Sequence, residues 1–85
     1  MATAARAILH ILITSAERVI YDGSAHMVIF PGEQGIFEVL PLHRPLVSRL
    51  RPGTIIVDGR MLPIRRGVVR VADDDITAVV ELKGS

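Results

Sequence analysis

The residues able to do chemistry in this chain are few and scattered. Gly32-Glu33-Gln34-Gly35 has glycines spaced like a phosphate-cradling loop, but no Gly-Lys-Ser/Thr follows and the next residues read as strand, so the segment is read as a plain turn. Asp73-Asp74-Asp75 could attract a divalent cation, yet three adjacent carboxylates cannot reproduce the spaced ligands of a calcium loop, and a solvated hairpin tip is expected. His10, His26 and His43 lie far apart, and with no cysteine and no His-x-x-x-His spacing they predict no zinc site. Nucleophile-plus-base catalysis needs Ser, Thr or Cys held against an oriented histidine; the residue types occur, but no motif places them together. The expectation is a chain with no catalytic residues, no metal site and no cofactor.

Composition points to a binding role instead. At 85 residues the chain makes one domain, 1–85, and a domain of this size buries only about 60–65% of the surface its unfolded chain exposes. Yet 49% of the residues are hydrophobic and mean hydropathy is +0.42, more apolar side chain than a small monomer hides. The surplus must face something, and no apolar run approaches the roughly 20 residues of a membrane span, so a protein partner is favoured. No disulfide can supplement the core. Nine arginines and one lysine against nine acids give a net charge of +1, without the strong field of nonspecific nucleic-acid binders. Met1 to Ala16 loosely mimics a signal peptide, but His10 interrupts its apolar part; the segment is read as supplying the first strand of a cytoplasmic protein.

Turn signals recur at short intervals: Asp22-Gly23, Pro31-Gly32, Gly35, Pro52-Gly53, Asp58-Gly59, Gly67 and the aspartate cluster. Between them lie strand-sized stretches at Ala7–Thr14, Arg18–Tyr21, His26–Phe30, Phe37–Leu40, Leu46–Leu50, Thr54–Val57, Met61–Arg65, Val68–Val71 and Ile76–Leu82. Asp22-Gly23 and Asp58-Gly59 each predict a two-residue type I′ hairpin. In the last stretch Ile76, Ala78, Val80 and Leu82 share one face and Thr77, Val79 and Glu81 the other, a half-buried strand. Met27–Phe30 and Ile55–Val57 are continuously apolar and predict strands covered on both faces. The fold class is all-β, a small antiparallel sandwich or flattened barrel.

The informative stretch runs from Ile36 to Leu46. Pro41 and Pro45 prevent one regular central strand along its length, yet it carries six large apolar side chains. Val39, Leu40 and Leu42 are expected to form an apolar docking patch, and Arg44 offers a fork of donors suited to carboxylates across an interface.

These segments are familiar in order and spacing. Ser15-Ala16-Glu17, Asp22-Gly23, Pro31-Gly32-Glu33-Gln34-Gly35, Leu40-Pro41-Leu42-His43-Arg44-Pro45-Leu46 and Arg51-Pro52-Gly53 together resemble the N-terminal β-sandwich domain of the ε subunit of F-type ATP synthases. The resemblance runs from about Leu9 to Leu82. It implies a noncatalytic rotor part in the central stalk of a proton-translocating synthase, with the γ subunit and the c-ring as partners, peripheral on the cytoplasmic face of the membrane and without nucleic acid. By the same resemblance Ser15, His43 and Ser48 face γ, and Arg44, with its donor fork, is placed with them; Gln34, Ile36 and Glu38 fall in the loop near the c-ring, with Phe37 between them. The family's usual Pro-Gly-His-Ala-Pro reads Pro41-Leu42-His43-Arg44-Pro45 here, its Gly-Glu-Leu-Gly loop reads Gly35-Ile36-Phe37-Glu38, and a customary Gly-Gly is Arg66-Gly67. The sequence ends at Ser85, and whether the natural protein is a short form or this is a trimmed piece of it, no inhibitory C-terminal arm and no nucleotide site are expected here. The rival readings are a homo-oligomeric β module and an arginine-dependent nucleic-acid-binding small barrel.

Overall fold

The computed structural model describes residues 8–84; Ala7, expected to open the first strand, and Met1 to Arg6 of the leader-like stretch lie outside them. The described residues form eight strands and no helix: β1 (Leu9–Thr14), β2 (Val19–Ala25), β3 (Val28–Gly32), β4 (Gly35–Val39), β5 (Leu46–Leu50), β6 (Gly53–Val57), β7 (Arg60–Ala72) and β8 (Asp75–Leu82). One layer runs β2-β1-β8-β7-β5; β3, β4, β6 and the start of β7 make the other. All pairings are antiparallel except β1 with β8.

The two stretches expected as separate strands around Gly67 are one. β7 pairs Arg60–Ile64 with β6, then shifts register between Ile64 and Arg66, and continues as Gly67–Val71 against β5. Gly67 is therefore no turn. It is needed because a Cβ there would come 2.6 Å from the Val79 carbonyl oxygen and 2.9 Å from Val80 Cγ1. Arg66 beside it is exposed, which explains why only the second glycine of the family's customary pair is required. A backbone bridge from Gly32 to Leu50 joins the layers on the other side.

Of the two Asp-Gly signals, one forms a hairpin. Asp58 and Gly59 have φ of 47° and 87° and join Val57 to Arg60 as a two-residue loop. The Asp58 carboxylate also accepts the N–H groups of His26 and Met27, each at 3.0 Å, stapling this tip to the β2–β3 connection. Asp22-Gly23 instead lies inside β2, paired with Leu12 and Ile11. Asp73 and Asp74, at φ of 54° and 62°, form the β7–β8 tip.

Alternation holds in β8, where Ile76, Ala78 and Val80 are buried and Val79 is exposed. In β3 and β6, by contrast, Ile29 and Ile56 are only half-buried, so these strands alternate too and are not covered on both faces. The core draws on every strand, with Phe30, Leu9, Ile11, Ile13, Ile55 and Ile64 among its largest members, and among the described residues it contains no buried polar side chain. Phe37 packs on it from β4, its ring 5.5 Å from that of Phe30.

Because the space above Gly67 is filled by backbone, Gly67→Ala is expected to lower unfolding free energy by about 1–3 kcal/mol, the usual cost of overpacking. Urea denaturation measures it; an unchanged midpoint would show that the sheet yields there freely.

Candidate functional site

The two-proline segment divides into a strand and a displayed turn. Val39 ends β4 opposite Val28 and is fully buried, so it belongs to the core and not to the expected docking patch. Its neighbours behave differently: Leu40 is 46% exposed and Leu42 84%.

The exposure of Leu42 is built in. The His43 N–H donates to the Leu40 carbonyl at 3.1 Å, closing a four-residue turn with Pro41 at its second position and Leu42, at φ 69°, at its third. That is the pattern of a type II turn, whose third position normally calls for glycine. A leucine in the left-handed region costs about 1–2 kcal/mol, which accounts for the glycine customary in the family motif. The Leu42 N–H donates to Asp74 Oδ1 at 2.7 Å, locking the turn onto the β7–β8 tip. The aspartate cluster is therefore only partly the solvated tip expected of it. His43 is half-buried, its Nδ1 donating to the Arg44 carbonyl at 2.7 Å, and Arg44 is exposed.

The other residues assigned to γ are spread around the β2-β1-β8-β7-β5 layer. Ser15 follows β1 at the end opposite the Leu42 turn; its hydroxyl donates to Glu17 Oε1 at 3.3 Å. Ser48, half-buried on β5, donates to the Arg49 carbonyl at 2.9 Å. The layer's outer face lies among them, and it carries residues that sequence reasoning did not assign: Val47, Val68 and Val79, exposed by 70%, 47% and 55%. Val68 sits directly opposite Val79, and Val47 is diagonal to Val68 across β5 and β7, so the three make a continuous row. The available signal was Val68-Val69 and Val79-Val80, since a strand with one face in the core must turn one valine of each pair outward.

The β3–β4 hairpin holds Gln34 at its tip, Ile36 and Glu38 exposed on β4, and Phe37 half-buried beneath them. Ile36 is 79% exposed. An open groove of about 690 Å³ lies between this hairpin and β5, bringing Gln34, Ile36 and Phe37 together with Ser48 and Val47. Two sets of residues assigned to different partners therefore share a wall.

Near Ser15, Arg66 Nε donates to Glu81 Oε1 at 2.8 Å. That hydrogen bond, with the attraction of the two charges, holds the Glu81 carboxyl below its ordinary pKa and raises that of Arg66. The contact supports the fold above the ordinary carboxylate pKa and is lost as pH falls through the lowered one. Among the described residues no three His, Cys, Asp or Glu side chains gather to hold a metal ion.

The family model for the ATP synthase delta/epsilon chain β-sandwich domain matches residues 8–82. The chain belongs to this family. It is 39% identical over 88 residues to the ATP synthase epsilon chain of Bordetella avium, covering 89% of this chain and 62% of that one. Against the epsilon chain of a Nitratiruptor species it is 41% identical over 78 residues, covering 86% and 60%. The chain thus spans about three fifths of the length of these curated relatives. In fold it is similar to a chain of the Euglena gracilis mitochondrial ATP synthase, with TM-score 0.78, 21% identity and coverage of 87% and 51%. A chain from the central stalk and c-ring structure of the Tetrahymena thermophila enzyme matches with TM-score 0.72 and 10% identity, covering 86% of this chain and 63% of that one.

Asparagine tolerates the left-handed region better than leucine, so Leu42→Asn is expected to raise unfolding free energy by about 0.5–1 kcal/mol. Chemical denaturation beside a Leu40→Asn control tests this; equal effects at both positions would mean that the turn stores no strain.

Proposed function

We propose that this chain is a noncatalytic rotor part of a proton-translocating F-type ATP synthase, joining the γ subunit to the c-ring in the central stalk at the cytoplasmic face of the membrane. Membership of the delta/epsilon β-sandwich family supports the assignment, and one observation carries the mode of action: the uncovered apolar row Val47, Val68 and Val79. Beta-branched side chains on the open side of a sheet gain nothing from water and are stabilised by a permanent partner. Obligate interfaces are large and apolar, as a part that turns with its neighbours requires.

On this reading the outer face, with Ser15, Ser48, His43 and Arg44 around it and Leu42 projecting from its corner, docks on γ. The β3–β4 hairpin, with Gln34, Ile36, Phe37 and Glu38, reaches toward the c-ring. Glu38 places a carboxylate on an exposed edge strand that, among the described residues, pairs only with β3, and there its charge also discourages sheet-edge association. The chain's part is mechanical, and the chemistry of ATP belongs to other subunits.

A tagged chain expressed in its native cell is expected to recover γ. Val68→Glu and Val79→Glu should each cut that recovery at least tenfold while leaving the melting temperature nearly unchanged, because both side chains are already exposed. Failure of the wild-type chain to recover γ, or its sedimentation as a stable homo-oligomer that buries this face, would contradict the proposal.

A further inference from the structure

The outer face carries charge in a pattern that the fold does not satisfy. On it, Val47 stands opposite Arg70 and Arg49 opposite Val68. The two valines occupy one diagonal of this four-residue square, and the two arginines occupy the other. Both arginines are exposed, and neither has a carboxylate oxygen within 4.0 Å among the described residues. Diagonal cross-strand positions lie about 7–8 Å apart, so the two arginines are rooted close together on one face.

Three of the acids near these arginines are engaged with other partners. Glu81 holds Arg66 at 2.8 Å. Asp22 and Asp75 flank the His10 ring, at 3.1 Å from Nε2 and 3.2 Å from Nδ1. Glu33 donates its backbone N–H to the Arg49 carbonyl at 2.9 Å, but its carboxylate makes no ion pair with the guanidinium. Two exposed guanidinium groups without an ion-pair partner, set beside exposed valines, suit a complementary surface, since arginine sheds water readily and binds carboxylates through two parallel hydrogen bonds.

We propose that Arg49 and Arg70 are specificity determinants of the docking face, each receiving a carboxylate from a partner element whose intervening apolar side chains cover Val47, Val68 and Val79. The partner presents two acids about 6–8 Å apart, a separation close to that of residues one turn apart on a helix. The assignment rests on the rotor reading given above, under which that element belongs to γ. Apolar contact supplies most of the affinity, and the arginine pair fixes register and orientation and accelerates encounter. A sheet face bearing valines alone would slide along an apolar partner; two charges on a diagonal fix the partner's rotation as well as its position.

The test measures binding of the full chain to γ from the same cell, at low and high salt. Arg49→Ala/Arg70→Ala is expected to weaken binding at least tenfold at about 50 mM salt and to flatten the salt dependence, with no change in melting temperature. Arg49→Lys/Arg70→Lys should keep the salt dependence but recover only part of the affinity, because lysine lacks the bidentate fork. If the wild-type chain binds γ and the alanine double variant binds it equally at both salts, the arginine assignment is overturned while the rotor reading stands. A wild-type chain that does not bind γ overturns both. Retention on DNA at physiological salt that requires both arginines would assign them to a polyanion and likewise overturn the proposal.

Discussion

Backbone hydrogen bonding along β7 is the constraint on which the rest of the molecule depends. This 13-residue strand pairs with β6 at its start, with β5 and β8 over its second half, and shifts register between Ile64 and Arg66 where it passes from one layer to the other. Ile64, Val69 and Val71 enter the core from it, while Val68 and Arg70 leave on the opposite side. An edge strand could not fix both sets at once. Because β7 is held along both edges, its outward side chains have no freedom to retreat, and their exposure is a property of the sheet.

The same principle explains which parts of the structure were legible in the sequence. The all-β class, the turns at Gly32–Gly35 and Asp58-Gly59 and the alternation of β8 follow from local chemistry, and the fold uses them as read. Asp22-Gly23 carries the same local signal as Asp58-Gly59. What separates them is long-range: β1 offers pairing partners to Asp22 and Gly23, whereas Asp58 finds the amides of His26 and Met27 for its carboxylate. Gly67 was misleading for a related reason, since its lack of a side chain serves the close approach of β8 and not a reversal of the chain. Tertiary contacts decide between these uses of glycine, and no window of sequence contains them.

The docking residues show a parallel division. The resemblance to a known family supplied Ser15, His43 and Ser48, which the structure disposes around one layer, but it could not supply the surface between them. Composition supplied the surplus of apolar side chain without locating it. Val39 was assigned to the surface and lies in the core, whereas Val47, Val68 and Val79 are displayed. Strand parity resolves the difference: neighbours along a strand face opposite ways, so the register of pairing, once known, sorts every valine.

Leu42 shows what a binding part gains by accepting local strain. Glycine at its position would relieve the left-handed backbone but would leave the turn without a projecting group and with more conformations to lose on docking. Leucine there is held by Pro41 before it, by the His43-to-Leu40 hydrogen bond across it and by Asp74 from another strand pair. The entropy of ordering that side chain's backbone is therefore lost on folding, before any partner arrives, so less of the contact energy is consumed at association. On the rotor reading this distribution is mechanically apt. A contact that transmits torque should sit on backbone fixed by the fold itself, because a loop that became ordered only in the complex would yield each time the stalk was stressed.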